Sequence, residues 1–417
     1  MLIHSASQLL TIAGPPQRGK QLGQLSIIDN GAVLIRDGSI TEIGTSQNLL
    51  TAYPGEARFD AKDCVVLPGL VDPHTHLPWT GDRATEFEMR LTGKSYQEIM
   101  TAGGGINKTV TTTRASSDDI LLSETRQRAR QLFRHGTTTV EAKSGYGLNL
   151  ESEMRLIHTL VQLDNDGPLE IIPTFLGAHA FPVEFKDNPD AYVHLICADM
   201  LPTLAHHWEK WHPEKPLPFV DVFCDQGAFT YEQTETVFKS AKELGFPLKI
   251  HVNEFMNLGG IRLAVQYGAV SADHLVRMTD DDIQVLSKSE TVAVSLPLTP
   301  FGLAHSDYTP AVDLLAAGAL LALASDLNPG TAWCGNMQFV IALACRYMRL
   351  TPAQAVAAAT INAAAAIGCA NRIGSLEVGK QADLIVLTVS DYRQLAYRFG
   401  TNLVSHVIKK GRVYPVQ

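Results

Sequence analysis

Val65-Val66-Leu67-Pro68-Gly69-Leu70-Val71-Asp72-Pro73-His74-Thr75-His76 begins as an apolar β-run and ends in two histidines. In an extended chain, residues i and i+2 project to the same side, so His74 and His76 converge on one point at the end of the strand. Two neutral imidazoles on one side are the beginning of a zinc or iron site. Alone, such a pair is most often two surface histidines. Here it follows a run apolar enough to be buried, which lowers the weight of that reading.

Working outward, seven further β-runs follow the first (65–71): 137–141, 169–175, 219–224, 247–252, 270–273, 291–296 and 320–324. Most are apolar on both faces, as parallel strands covered by helices must be. Helical segments lie between them. In one, Ser117 is the N-cap, Leu121, Thr125, Ala129, Leu132 and Phe133 form the apolar stripe, and Gly136 ends the unit. Eight β/α units predict an α/β fold, a (β/α)8 TIM-like barrel. A doubly wound sheet is the runner-up, but the glycine-rich phosphate turn after its first strand is missing.

The two ends of the chain have a different texture. Short β-pieces at 25–28, 32–36 and 39–43 are punctuated by Asn30-Gly31 and Asp37-Gly38, both hairpin-turn signals. At the other end, 382–388 reads as a strand, and 404–409, Gly411 and 413–414 read as a hairpin. The expectation is one small β-sandwich domain built from both termini, 1–66 and 369–417, around a barrel over 67–368. The polar, Trp-rich stretch 206–216 reads as a surface insertion.

Composition bounds the function. With 45% apolar and 18% charged residues, 417 residues can bury a large core. A net charge of −9 argues against nucleic-acid and anionic-membrane partners. No run of eighteen apolar residues occurs, and the first residues lack the pattern of a secretion signal. The six cysteines form no CxxC pair and read as reduced thiols. A cytoplasmic protein acting on a small molecule is the expectation.

The other β-runs end in chemistry as well. His251-Val252-Asn253-Glu254, Asp273-His274 and Ser325-Asp326-Leu327-Asn328-Pro329-Gly330 lie at the same end of their strands as the first pair. Each alone is a satisfied polar residue at a strand terminus. Four strands doing so together is hard to explain by packing. His74, His76, His251 and Asp326 make a three-histidine, one-carboxylate set that leaves an open position at a five-coordinate metal. Lys143, Ser144, Tyr146, His179, Arg83 and Tyr96 lie at the same face, although Arg83 also reads as a solvated cation and Tyr96 as a packing residue.

The chain resembles the amidohydrolase superfamily in Pro68 through His76 and in Gly374-Ser375-Leu376-Glu377-Val378-Gly379-Lys380-Gln381-Ala382-Asp383-Leu384. A sharper resemblance is to the imidazolonepropionase family. It rests on Gly81-Asp82-Arg83, Ala102-Gly103-Gly104-Gly105-Ile106, Glu141-Ala142-Lys143-Ser144-Gly145-Tyr146-Gly147, Phe175-Leu176-Gly177-Ala178-His179, His251 to Glu254 and Ser325 to Thr331. It implies one zinc or ferric iron ion per chain on His74, His76, His251 and Asp326. It implies substrate or product contacts from Arg83, Tyr96, Tyr146, His179, Glu254, Asn328, Gly330 and Thr331, and a homodimer. Some superfamily members bridge two metals with a lysine at the end of strand four, where this chain has Phe223-Cys224-Asp225, so one metal is favoured.

The expected chemistry is addition of metal-activated water to the carbonyl of a cyclic amide, 4-imidazolone-5-propanoate, giving N-formimidoyl-glutamate. His274 would stabilise the developing oxyanion, and either Glu254 or Asp326 would take the water proton. Arg83 would bind the propionate bidentately. The rivals are an aminohydrolase of purines or pyrimidines, and a non-catalytic barrel that has lost its metal. Arg83 and the Lys143–Gly147 segment speak against the first, and the intact ligand set against the second.

Overall fold

A computed structural model describes residues 1–94, 98 and 103–416. Its strands, in chain order, are β1 (Leu2–Leu10), β2 (Ile27–Arg36), β3 (Ser39–Thr45), β4 (Arg58–Asp60), β5 (Val65–Pro68), β6 (Leu70–Thr75), β7 (Thr137–Lys143), β8 (Glu170–Ala178), β9 (Phe219–Cys224), β10 (Leu248–Val252), β11 (Ser271–His274), β12 (Val292–Ser295), β13 (Leu321–Leu323), β14 (Leu384–Leu387), β15 (Val404–Lys409) and β16 (Arg412–Pro415). Strands β6 to β13 form one parallel sheet in sequence order, with helices on the connections. Past the strands the two edges are stitched together: Thr75 bridges Leu327, His76 N–H donates to the Leu327 carbonyl at 2.9 Å, and Asp326 N–H to the His74 carbonyl at 3.0 Å. This is the (β/α)8 barrel read from the sequence.

The second sheet is mostly antiparallel and is made from both chain ends, in the order β16-β15-β14-β5-β1-β2-β3, with β4 beside β1. Asp37-Gly38 makes the β2–β3 hairpin, with φ of +50° and +77° as a two-residue turn of this hand requires. Asn30-Gly31 does not make a turn. It lies inside β2, Gly31 pairing with Ala6, where a Cβ would come within 2.4 Å of Leu9 Cβ. Here glycine answers to close strand packing rather than to chain reversal.

The apolar run 65–71 also divides. Its first half, β5, pairs with β1 and β14 in the terminal sheet, and its second half, β6, opens the barrel. The junction is Gly69, whose amide donates to the Asp383 carbonyl at 3.0 Å and where a Cβ would lie 2.3 Å from the Thr138 hydroxyl. Both halves are fully buried, so apolarity could not reveal the change of sheet.

Helix Asp118–Arg134 starts with the Ser117 hydroxyl accepting from Ile120 N–H, and buries Leu121, Thr125, Ala129, Leu132 and Phe133. The stretch read as an insertion is in part the helix Leu201–Trp211. Trp208 is its buried anchor, the indole donating to the Pro216 carbonyl at 2.9 Å. Among the described residues no helix is long and apolar enough to cross a membrane.

Sheet and barrel are joined by a partly buried ionic knot. Lys409 of β15 reaches Asp383 at 2.7 Å and Glu170 of β8 at 2.9 Å, and Arg372 also pairs with Glu170. Burial alone would raise the Glu170 pKa, but Arg372 and Lys409 outweigh it and hold the carboxylate well below its ordinary range.

Candidate metal centre and active site

At the C-terminal end of the barrel the strand termini bring their polar residues to one point. His74 Nε2 lies 3.5 Å and His76 Nε2 3.3 Å from Asp326 Oδ1, and His251 Nε2 is 3.3 Å from His76 Nε2. The ring centroids of His74 and His251 are 4.4 Å apart, and His274 lies 5.5 Å from His74 and 5.3 Å from His251. Two trios have ligand atoms within 4.8 Å of one another: His74, His76 and Asp326, and His74, His251 and His274. His274, given an oxyanion role from sequence, is therefore as close to the centre as the four expected ligands.

Carboxylates beneath the ring set its tautomers. Asp273 Oδ2 takes His74 Nδ1 at 2.6 Å and Asp221 Oδ1 takes His251 Nδ1 at 3.0 Å, leaving each Nε2 lone pair facing the centre. Lys143 lies between, 2.7 Å from both Glu141 and Asp221 and fully buried. Lys249 bonds Ser271 at 2.6 Å and stands 3.6 Å from Asp273. Desolvation is the first cause holding His74, His76, His251 and His274 below the ordinary imidazole range, His251 down to about 4 and His274 to about 3. All four are neutral rings with a lone pair to give.

The backbone at these strand ends is unusual. Asn253, His274, Leu275 and Asp326 all have φ between +53° and +82°. Non-glycine residues in this region cost roughly 1–3 kcal/mol each and collect at functional sites.

Around the centre stand the other residues singled out from sequence. Glu254 Oε2 is 3.5 Å from His274 Nε2. Burial first, then the charges of Asp326 and Asp225, raise the Glu254 pKa well above the carboxylate range. Asp326 Oδ2 accepts the Thr299 hydroxyl. His179 stacks on His76 with centroids 4.8 Å apart and bonds the Gly145 carbonyl through Nδ1 at 2.9 Å. Tyr146 is buried, 5.3 Å from the His179 ring.

Asn328 spends its carboxamide on its own loop. Oδ1 accepts from Gly330 and Thr331 N–H, both at 2.8 Å, and Nδ2 donates to the Asp326 carbonyl at 2.7 Å. The Arg83 guanidinium lies against Gly330 and is forked onto Glu86. Tyr96 lies outside the described residues.

Several contributors escaped the sequence reading. Asp221 and Lys249 are single charges in otherwise apolar strands, each two residues before a residue at the strand's end. That spacing was the available signal, because i and i+2 share a face. Glu153 accepts the amides of Gly145 (3.0 Å), Gly147 (2.7 Å) and Leu148 (2.7 Å), which fixes the Tyr146 loop. Asp225 does the same for the amides of Glu254 (2.7 Å), Phe255 (3.0 Å) and Met256 (2.8 Å). Nothing local announces either clamp.

The chain is similar over 99% of its length to an imidazolonepropionase from Herpetosiphon aurantiacus, at 50% identity and with 96% of that protein covered. The chain belongs to the imidazolonepropionase family. Other imidazolonepropionases, from Chloroflexus aggregans and a Geobacillus species, are each 44% identical, again over 99% of this chain and over 98% and 97% of theirs. Residues 224–414 match the amidohydrolase family model. Solved structures carry the fold further than the imidazolonepropionases. A mutant of the atrazine chlorohydrolase TrzN from Arthrobacter aurescens, complexed with zinc, superposes with a TM-score of 0.74 over 99% of this chain and 94% of that one, at 15% identity. A zinc-bound adenosine deaminase from Xanthomonas campestris reaches 0.72 at 20% identity, covering 100% and 93%. At such identities the likeness is one of fold.

Proposed function

We infer that the protein is a metal-dependent hydrolase that opens the ring amide of 4-imidazolone-5-propanoate to N-formimidoyl-glutamate, a step of histidine degradation. The observation that carries this is the convergence of neutral imidazoles on Asp326, in a chain half identical to a curated imidazolonepropionase.

The donor set fits a divalent cation. His74 Nε2 and Asp326 Oδ1 are buried and have no hydrogen-bond partner, and both face the centre. Below them Glu141, Asp221 and Asp273 outnumber Lys143 and Lys249 by one negative charge, to which Asp326 adds another. Neutral nitrogens and a hard carboxylate suit zinc or iron. His74, His76, His251 and Asp326 are our ligand set, with one ion per chain. Such an ion, when bound, polarises the ring carbonyl and lowers the pKa of water to about 7.

The residues then divide the remaining work. Glu254 is our proton carrier: it stands 3.5 Å from His274 at the centre, and burial beside Asp326 and Asp225 raises its basicity, which suits it to take the water proton and pass it to the departing ring nitrogen. Asp326 is the weaker candidate for that role, because Thr299 holds one oxygen and the other faces two imidazoles. His274, 3.5 Å from Glu254, donates to the carbonyl oxygen as charge develops there. Water oxygen bonds to the carbonyl carbon, the ring C–N bond breaks, and the nitrogen leaves with the proton. Arg83, Tyr146, His179, Asn328, Gly330 and Thr331, together with Tyr96, orient the ring and its propionate.

The same reading moves the first domain limit from 66/67 to the Gly69 junction and keeps the second near 368/369, with a homodimer and a cytoplasmic location. The decisive experiment is incubation of the purified protein with freshly prepared imidazolone propionate beside nucleobases and other cyclic amides. Stoichiometric N-formimidoyl-glutamate is expected. Ammonia release from a nucleobase, with imidazolone propionate untouched, would replace the substrate.

A further inference from the structure

Arg83 does not carry a free charge. Its Nε donates to Glu86 Oε2 at 2.9 Å and its Nη2 to Oε1, while Glu86 Oε2 also accepts the Gly105 amide at 2.8 Å. Both side chains are largely buried, 14% and 7% exposed. The pair is neutral, so an anionic substrate brought to Arg83 meets a carboxylate beside it. Burying an anion without a net opposing charge is costly.

Arg90, one turn along the helix Ala84–Leu91 from Glu86, supplies the missing charge. Its Nη2 donates to the Gly330 carbonyl at 2.9 Å, across 240 positions of sequence. Among the described residues that is its one hydrogen bond, and it has no ion pair there. Gly330 is the meeting point of both cations, since a Cβ on it would lie 2.5 Å from Arg83 Nη1. The half-buried Arg90 senses both members of the pair: desolvation is the first cause lowering its pKa, Glu86 opposes and Arg83 adds. Arg83, Glu86 and Arg90 together carry one net positive charge, beside the loop that leaves Asp326.

We propose that Arg90 is the second cation of the substrate-carboxylate site, and that its charge, which has no ion-pair partner among the described residues, selects small ring substrates bearing one carboxylate over neutral ones beside the Glu86-neutralised Arg83. This rests on the reading that the propionate is held at Arg83. A purely structural Arg90 would instead staple the helix to the Gly330 loop, and its loss would weaken every ligand alike.

The test is calorimetric titration of the enzyme as isolated with 3-(imidazol-4-yl)propanoate and with its primary amide, for wild type, Arg90→Met and Arg90→Lys. Arg90→Met should weaken the carboxylate by about 10- to 100-fold and leave the amide within about twofold. Arg90→Lys, which keeps the charge, should recover most of the loss and controls for folding. Equal weakening of both ligands, or of neither, overturns the proposal, as does a wild type that binds the amide as tightly as the carboxylate. Selective loss supports it even in an enzyme that leaves imidazolone propionate intact, so the two readings fail separately.

Discussion

Asp221 Oδ1 accepts two hydrogen bonds from His251, one from ring Nδ1 at 3.0 Å and one from the backbone amide at 3.2 Å. Its other oxygen takes the Lys143 ammonium at 2.7 Å. The imidazole is thereby held in one tautomer and one orientation. Asp221→Asn can offer an N–H where the ring needs an acceptor. Metal affinity, measured by chelator competition, should fall about 10- to 100-fold while the fold persists. Unchanged retention would remove His251 from the ligand set.

Glu254→Gln keeps the shape of the side chain and removes its proton chemistry. In steady-state assays kcat should drop by about 10²–10⁴ with KM little altered. If Asp326 were the sole proton carrier, the substitution would leave kcat within a small factor.

The Asp225 clamp on Glu254 makes a separate prediction. Asp225→Ala strips the acceptor from three consecutive amides, which should cost about 1–3 kcal/mol of stability. Hydrogen exchange at Glu254, Phe255 and Met256 should accelerate, and kcat should fall with it. Faster exchange with full kcat would mean that the loop's rigidity is not needed for proton transfer.

The knot of Lys409, Arg372 and Glu170 governs the acid side of stability. The folded-state pKa of Glu170 is depressed, so its contribution is fully present above the unfolded value of about 4.3 and is lost as pH falls toward the folded one. Glu170→Gln should cost about 3 kcal/mol at neutral pH, because the largely buried Lys409 loses a partner. Urea midpoints for wild type and variant should converge as the pH drops below about 4. Parallel curves would show that Glu170 titrates alike in both states.

The periodicity of the chain was enough to reach the barrel and most of the centre. Apolar runs every few tens of residues, four of them ending in His, Asp or Glu, are a local pattern, and strand alternation alone turns His74-Thr75-His76 into two convergent ligands. The hairpin at Asp37-Gly38 was legible for the same reason, since a two-residue turn with positive φ selects its own residues.

What tertiary structure decided is everything that depends on which distant groups meet. Residues 65–71 look like one strand because burial in either sheet demands the same apolar side chains. Only the approach of Thr138 and Asp383 to Gly69 parts them. The partners of His74 and His251 sit 199 and 30 positions away, and Arg90 finds Gly330 across 240. Arg83 shows the same limit from the other side: its identity promised a free cation, and Glu86, only three residues on, cancels that charge once the helix brings the two together. A sequence names the ionisable groups, but the net charge of a site is a sum over neighbours in space, and that sum exists only after the chain has folded.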